Sequence, residues 1–252
     1  MTLKRHIPNI ITLLNVFCGS VAVIFAANGN FVMASIFVFL GIFFDFFDGL
    51  MARKLDVQSD LGIQLDSLAD MITSGLVPGI IMFKLLSLVV NPSDAFISDD
   101  WNSYFSLSGV KASFLPFLAF LIPMASAYRL GKFNIDENQQ TYFIGLPTPA
   151  NTLLIVSLPL ILEFQNNDLM NSIILNQWFL IVLTLISAYL LNTKIKLFAL
   201  KFKDWSFKSN SIRYVFILLS LLALMVLKFA AIPLIVAIYI TMSILNNLAS
   251  KN

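Results

Sequence analysis

Charge is what this chain has least of. Only 12% of its 252 residues are charged, whereas 58% are hydrophobic and 24 are Phe. A soluble domain carries about 25% charged residues. Half that share cannot cover a sphere of this size with polar surface, which excludes a soluble globular domain, and the same numbers exclude disorder. Cysteine and histidine are almost absent as well. Cys18 and His6 each stand alone, so an internal disulfide, a Cys-x2-Cys metal site and a histidine dyad have nothing to draw on. With 16 basic against 14 acidic residues the net charge is +2, and no basic excess points to nucleic acid. The first apolar stretch is full length and lacks a small-residue cleavage pattern, so it reads as a span and not as a cleaved leader.

What the chain does have is a series of apolar runs, near 9–27, 31–51, 64–90, 113–130, 149–164, 174–192, 212–227 and 229–247. A crossing helix needs about 20 apolar residues. The runs predict an all-α, polytopic transmembrane bundle of about eight spans, one domain over 1–252 with extra C-terminal spans from about 174. Only Lys228 and Pro233 divide the last pair, and the run at 149–164 is short and holds Pro159, so seven spans is the other count. With the N-terminus inside, every Lys and Arg except Lys84, Lys111 and Lys228 falls on the cytoplasmic side. That bias predicts that both termini are cytoplasmic in a multi-pass cytoplasmic membrane protein. Residues 91–112 then form the longest external loop. The segment 194–213 interleaves basic and aromatic residues, as a topogenic loop does, or an interfacial helix that draws anionic lipid. No repeat supports transporter-like internal symmetry.

Carboxylates in a span cost several kcal/mol unless they are paired or bind something, and so point to function. Four fall in or beside the second and third runs. Asp45 and Asp48 are three apart and share one helix face; Asp66 and Asp70 are four apart and share another. The short link from Arg53 to Gly62 makes the two helices antiparallel neighbours, so the four side chains converge near the cytoplasmic edge. Such a cluster repels itself unless cations neutralise it. All-oxygen donors select Mg²⁺ or Mn²⁺, with Ca²⁺ satisfied by the same set, over zinc. Two such ions suit phosphoryl transfer at a pyrophosphate. Gly49 and Ala52 add no bulk to that helix and leave room for a ligand, or for close helix packing. Arg53 suits a phosphate, or anchors the helix end beside Lys54.

Residues 45–70, DFFDGLMARKLDVQSDLGIQLDSLAD, read D-x2-D-G-x2-A-R-x8-G-x3-D-x3-D. This resembles, without a departure, the signature of the CDP-alcohol phosphotransferases. The resemblance implies two metal ions held by Asp45, Asp48 and Asp66 with Asp70 close to one of them, and Asp70 as the base that takes the acceptor's proton. It implies that Gly49, Ala52 and Arg53 contact the CDP moiety and that Ser59 lies near the phosphates. The opening PNIITLLN is similar to the family's first segment, so Asn9 and Thr12 are expected at the nucleotide, or as caps of the first span. The resemblance also implies a homodimer. Gly75-x3-Gly79 is a small-residue pattern that suits either a dimer contact or packing within one chain.

The family shares a donor and varies the acceptor. Three stretches outside the signature, LDSLADMITSGLVPG (65–79), YRLGKFNI (128–135) and YFIGLPTPAN (142–151), resemble the bacterial phosphatidylserine synthase subgroup. Ser74, Gly79, Gly131, Lys132 and Asn151 depart from that subgroup's usual residues. The resemblance implies CDP-diacylglycerol as donor and L-serine as acceptor among membrane lipids, with Arg129 and Lys132 as candidates for the serine carboxylate. Pro147 and Pro149 are expected to shape a helix entry. Glycerol 3-phosphate or an inositol phosphate is the alternative acceptor, and a cation-transport site is a distant one.

Overall fold

The computed structural model describes residues 3–90, 114–135, 142–165, 167–198 and 206–249. The expected loop at 91–112 and residues 199–205 of the basic-aromatic segment lie outside them. Helix α1 (Ile7–Ala27) starts with Pro8 in its first turn, where a missing N–H costs nothing. It turns at Gly29, at φ +74°, into α2 (Phe31–Lys54), whose Asn30 cap accepts from the Met33 N–H. Helix α3 (Asp60–Asp70) starts at Ser59, which accepts from the Gly62 N–H at 3.1 Å, with Asp60 in the first turn to complement the helix dipole.

A π-helical turn, Met71–Leu76, joins α3 to α4 (Val77–Val90) in one continuous rod. Its cause lies four residues on from Ser74. Pro78 has no N–H to give the Ser74 carbonyl, and its ring crowds that oxygen, so the turn widens. Thr152 supplies the missing donor, with Oγ1 2.7 Å from the Ser74 carbonyl.

A 3-10 turn (Leu115–Phe120) leads into α5 (Leu121–Ile135), followed by β1 (Tyr142–Ile144), α6 (Thr148–Phe164), α7 (Asp168–Ile174), α8 (Gln177–Asn192) and β2 (Lys196–Phe198). Helices α9 (Phe207–Leu227) and α10 (Ala231–Ala249) end the described chain. β1 and β2 pair antiparallel, with Phe143 opposite Leu197. This short ribbon is the one addition to an otherwise helical fold among the described residues.

Within the described residues each of the eight apolar runs is mostly helical, the run at 174–192 being broken at Leu175 and Asn176. By length and composition, four stretches among those residues can cross a membrane: Ile7–Ala27, Phe31–Lys54, Asp60–Val90 and Asn210–Leu248. The pair α7–α8, bent by 62°, makes a fifth. The 39 residues of Asn210–Leu248 would run about 58 Å if straight, twice a bilayer core. Instead they fold back at Lys228, at φ +49°, and bring the rings of Phe216 and Tyr239 within 5.5 Å. Gln165 holds this turn from both sides: its amide donates to the Leu227 carbonyl and its oxygen accepts from the Ala230 N–H.

The core is centred on α4, where Ile81, Met82, Leu85 and Leu86 are buried against Ile122, Ile155, Leu158 and Leu180. The outer surface is apolar, with Phe17, Phe46, Met124, Trp178 and Met225 all exposed. Large side chains on the outside, in this number, are what lipid contact requires. Gly75 and Gly79 pack within the chain: a side chain on Gly75 would meet Ser126, and one on Gly79 would lie 2.8 Å from Pro123.

Candidate active site

The site grows from the crossing of α1, α2 and the π turn. Gly19 and Gly41 face each other where these elements meet, and Thr73 fills the gap between them. A Cβ on Gly19 would collide with Thr73 Oγ1; one on Gly41 would lie 2.6 Å from Thr73 Cγ2 and 2.8 Å from Asn15 Oδ1. Thr73 in turn donates to Asn15 Oδ1 at 2.7 Å. This buried junction holds α2 and the π turn that continues α3 against α1, and so sets where the carboxylates of α2 and α3 meet.

Asp45 and Asp48 from α2 and Asp66 from α3 each present an oxygen within 4.8 Å of the others. Asp48 is buried, and Thr12 Oγ1 lies 2.5 Å from its Oδ2. Thr12 therefore orients a carboxylate from α1, and it also borders the cavity above. Three hard oxygen donors at this separation, without a soft ligand beside them, fit an Mg²⁺- or Mn²⁺-type cation.

That cavity, of about 350 Å³, is lined by Asn9, Thr12, Gly49, Ala52, Arg53 and Ser59 together with Asp45, Asp48 and Asp66. All six residues expected at a nucleotide thus border one space with the three carboxylates. Gly49 has no atom within 4 Å of where a Cβ would stand, so it opens the α2 backbone to the cavity and packs against nothing. Across from it Asn9 Oδ1 approaches Gly62 to 3.4 Å of its would-be Cβ. Arg53 is exposed at the rim.

Asp70 stands apart. It does not border the cavity and lies outside the close trio. Asp45 is the member of the trio that links it to Asp70, being within hydrogen-bonding reach of both Asp66 and Asp70. On its far side Asp70 faces Thr148, whose Oγ1 is 3.5 Å from Asp70 Oδ2, and interacts electrostatically with Arg129. Arg129 is buried, with no partner for its Nε among the described residues. Lys132, in contrast, is exposed. It shares with Arg129 a cavity of only about 20 Å³, walled by Ile144, Leu191 and Asn192.

Several contributors escaped the sequence reading. Asn15 and Thr73 hold the helix junction. Asn134 of α5 steadies α3, accepting from Ser67 at 2.9 Å and donating to Gln64 at 3.2 Å. Thr148 and Thr152 reach Asp70 and Ser74 from α6. The available signal was a polar residue inside an apolar run, which is costly without a partner.

The chain is similar to known proteins. The family model described as CDP-alcohol phosphatidyltransferase matches residues 5–190. A CDP-diacylglycerol–serine O-phosphatidyltransferase of Bacillus subtilis is 32% identical over 173 residues, 67% of this chain and 81% of that protein. One of Helicobacter pylori is 34% identical over 151 residues, 59% of this chain and 55% of that protein. One of Methanocaldococcus jannaschii is 28% identical over 168 residues, covering 67% and 66%. The chain thus spans about half the length of the Helicobacter relative and most of the Bacillus one. The matched region holds the carboxylate trio, the cavity and Asp70 in full, and the chain belongs to the CDP-alcohol phosphatidyltransferase family.

Proposed function

We propose that the protein transfers a phosphatidyl group from CDP-diacylglycerol to the hydroxyl of L-serine, giving phosphatidylserine and CMP. The observation that carries this reading is the single cavity bordered by Asp45, Asp48 and Asp66 and by Asn9, Gly49, Ala52, Arg53 and Ser59. The relatives named for this activity support serine as the acceptor.

Asp45, Asp48 and Asp66, with Asp70 at the edge, would hold one or two divalent cations, Mg²⁺ or Mn²⁺. Bound there, such cations supply charge neutralisation for a pyrophosphate and its leaving group. The chain's own residues do the rest. Gly49 and Ala52 leave the α2 backbone bare for the nucleotide, and Arg53 meets a phosphate at the rim. Thr12 keeps Asp48 aimed. Asp70 takes the proton from the serine hydroxyl as its oxygen attacks the phosphorus that carries diacylglycerol. The bond from that phosphorus to the CMP oxygen breaks, and CMP leaves. Arg129, buried beside Asp70, is the candidate for the serine carboxylate; Lys132 serves at the approach.

Eight spans with both termini in the cytoplasm would put this cavity at the inner face of the cytoplasmic membrane, where CDP-diacylglycerol enters sideways from the leaflet. The active form is a homodimer in this reading. The test is CMP release by the purified protein with CDP-diacylglycerol and Mn²⁺ or Mg²⁺, offering L-serine, glycerol 3-phosphate or an inositol phosphate as sole acceptor. Release with serine alone is expected. Release only with a phosphorylated acceptor would remove serine and keep the donor site.

A further inference from the structure

The family match ends at residue 190, yet the chain continues through β2, α9 and α10. Resting on the proposal that the acceptor alcohol arrives at Asp70, we infer that the C-terminal hairpin α9–α10 is a positioning element for that acceptor side. It acts through Tyr239 and the β1–β2 ribbon.

Two threads tie the hairpin to the ribbon. Tyr239 donates its hydroxyl to the Phe198 carbonyl at 2.9 Å, and its ring packs with those of Phe198 and Phe216 at centroid distances of 5.0 and 5.5 Å. Asn247 donates to the Lys196 carbonyl at 2.6 Å. Both bonds land on β2, which pairs with β1.

The chain leaving β1 leads straight into the site. Gly145, at φ +73°, donates to the Ile195 carbonyl, and Leu146 donates to that of Leu190. A side chain on Gly145 would lie 2.5 Å from the Leu191 carbonyl, so this turn sits flush against the end of α8. Leu146 is buried with Leu154, Leu197 and Val236 in a cluster shared by α6, the ribbon and α10. Two residues later α6 begins at Thr148, the residue facing Asp70. The same ribbon walls the Arg129 side, because Ile144 borders the small cavity that holds Arg129.

Through the ribbon, the hairpin therefore braces the start of α6 at Thr148 and the wall beside Arg129, and among the described residues it supplies none of the lining of the donor cavity. Donor and acceptor sides are separable, since the donor cavity is built wholly from α1, α2, α3 and the α2–α3 link.

The experiment uses full-length Tyr239→Ala and Tyr239→Phe, with Asn247→Ala as a second, independent cut between hairpin and ribbon. Acceptor KM is measured at saturating CDP-diacylglycerol, and CMP affinity by calorimetry in the presence of Mn²⁺. Losing a hydrogen bond of this kind corresponds to about fivefold. Tyr239→Ala is expected to raise acceptor KM by about fivefold or more, with CMP affinity unchanged. Tyr239→Phe, which keeps the ring packing, falls between Ala and wild type, and Asn247→Ala moves acceptor KM the same way. An unchanged acceptor KM in Tyr239→Ala overturns the inference. So does a parallel loss of CMP affinity, which would mean general loosening of the fold. The acceptor used is whichever alcohol releases CMP with the wild-type protein, so an error in the serine assignment is read separately from an error here.

Discussion

Thr12 in the first helix reaches across to Asp48 in the second, its Oγ1 2.5 Å from Oδ2, and both side chains are buried. A carboxylate aimed by a neighbouring donor keeps its remaining lone pairs directed at a ligand, and loss of such an outer partner typically weakens metal binding by about 10- to 100-fold. Thr12→Val, nearly isosteric, is therefore expected to weaken Mn²⁺ binding by about tenfold while the protein stays folded. Titration of Mn²⁺ by electron paramagnetic resonance checks this. Unchanged affinity would reduce Thr12 to a lining residue of the cavity.

Asp70 and Asp45 differ in place, and their variants should differ in kind. Asp70→Asn removes the proposed base, so turnover should fall by about 10²- to 10⁴-fold with CMP and metal still bound. Asp45→Ala takes an oxygen from the trio, and metal affinity and turnover should fall together. Paired binding and CMP-release measurements on both variants separate the roles. Near-native turnover in Asp70→Asn would sink the base assignment.

Two glycines on α2, eight residues apart, have opposite surroundings. Gly41 is pressed against Thr73 and Asn15, whereas Gly49 faces open space. Gly41→Ala should destabilise the protein by about 1–3 kcal/mol through overpacking. Gly49→Ala should leave the melting temperature unchanged or raise it, since Ala favours a helix, but raise donor KM by about tenfold. Thermal melts in detergent together with donor kinetics test both halves. A Gly49→Ala protein with native donor KM would show that nothing approaches that backbone.

The chain's class and its donor chemistry were legible in the linear sequence. Apolar runs of crossing length leave few folds besides a helical bundle, because backbone groups in lipid must be satisfied within the segment. The aspartates at spacings of three and four, on two helices joined by a short link, were bound to lie near one another, and three of them form the close trio. Asn9, Gly49, Ala52, Arg53 and Ser59 border the same cavity for the same reason: they are close in sequence or on the adjoining first helix.

What surrounds Asp70 was decided by tertiary structure. Thr148 reaches Asp70, and Thr152 reaches Ser74, across 78 residues; Thr73 reaches Asn15 across 58. Helical periodicity says which face a residue occupies and is silent on which distant helix covers that face. Arg129 and Lys132, three apart and alike in sequence, ended in different surroundings, one buried beside Asp70 and the other exposed. The π turn was half visible, since Pro78 must orphan the Ser74 carbonyl, but the Thr152 hydroxyl that satisfies it comes from another helix. Local spacing thus determined which carboxylates share a helix face, and long-range packing determined where they meet and what faces them, because only packing brings separate helices to one point.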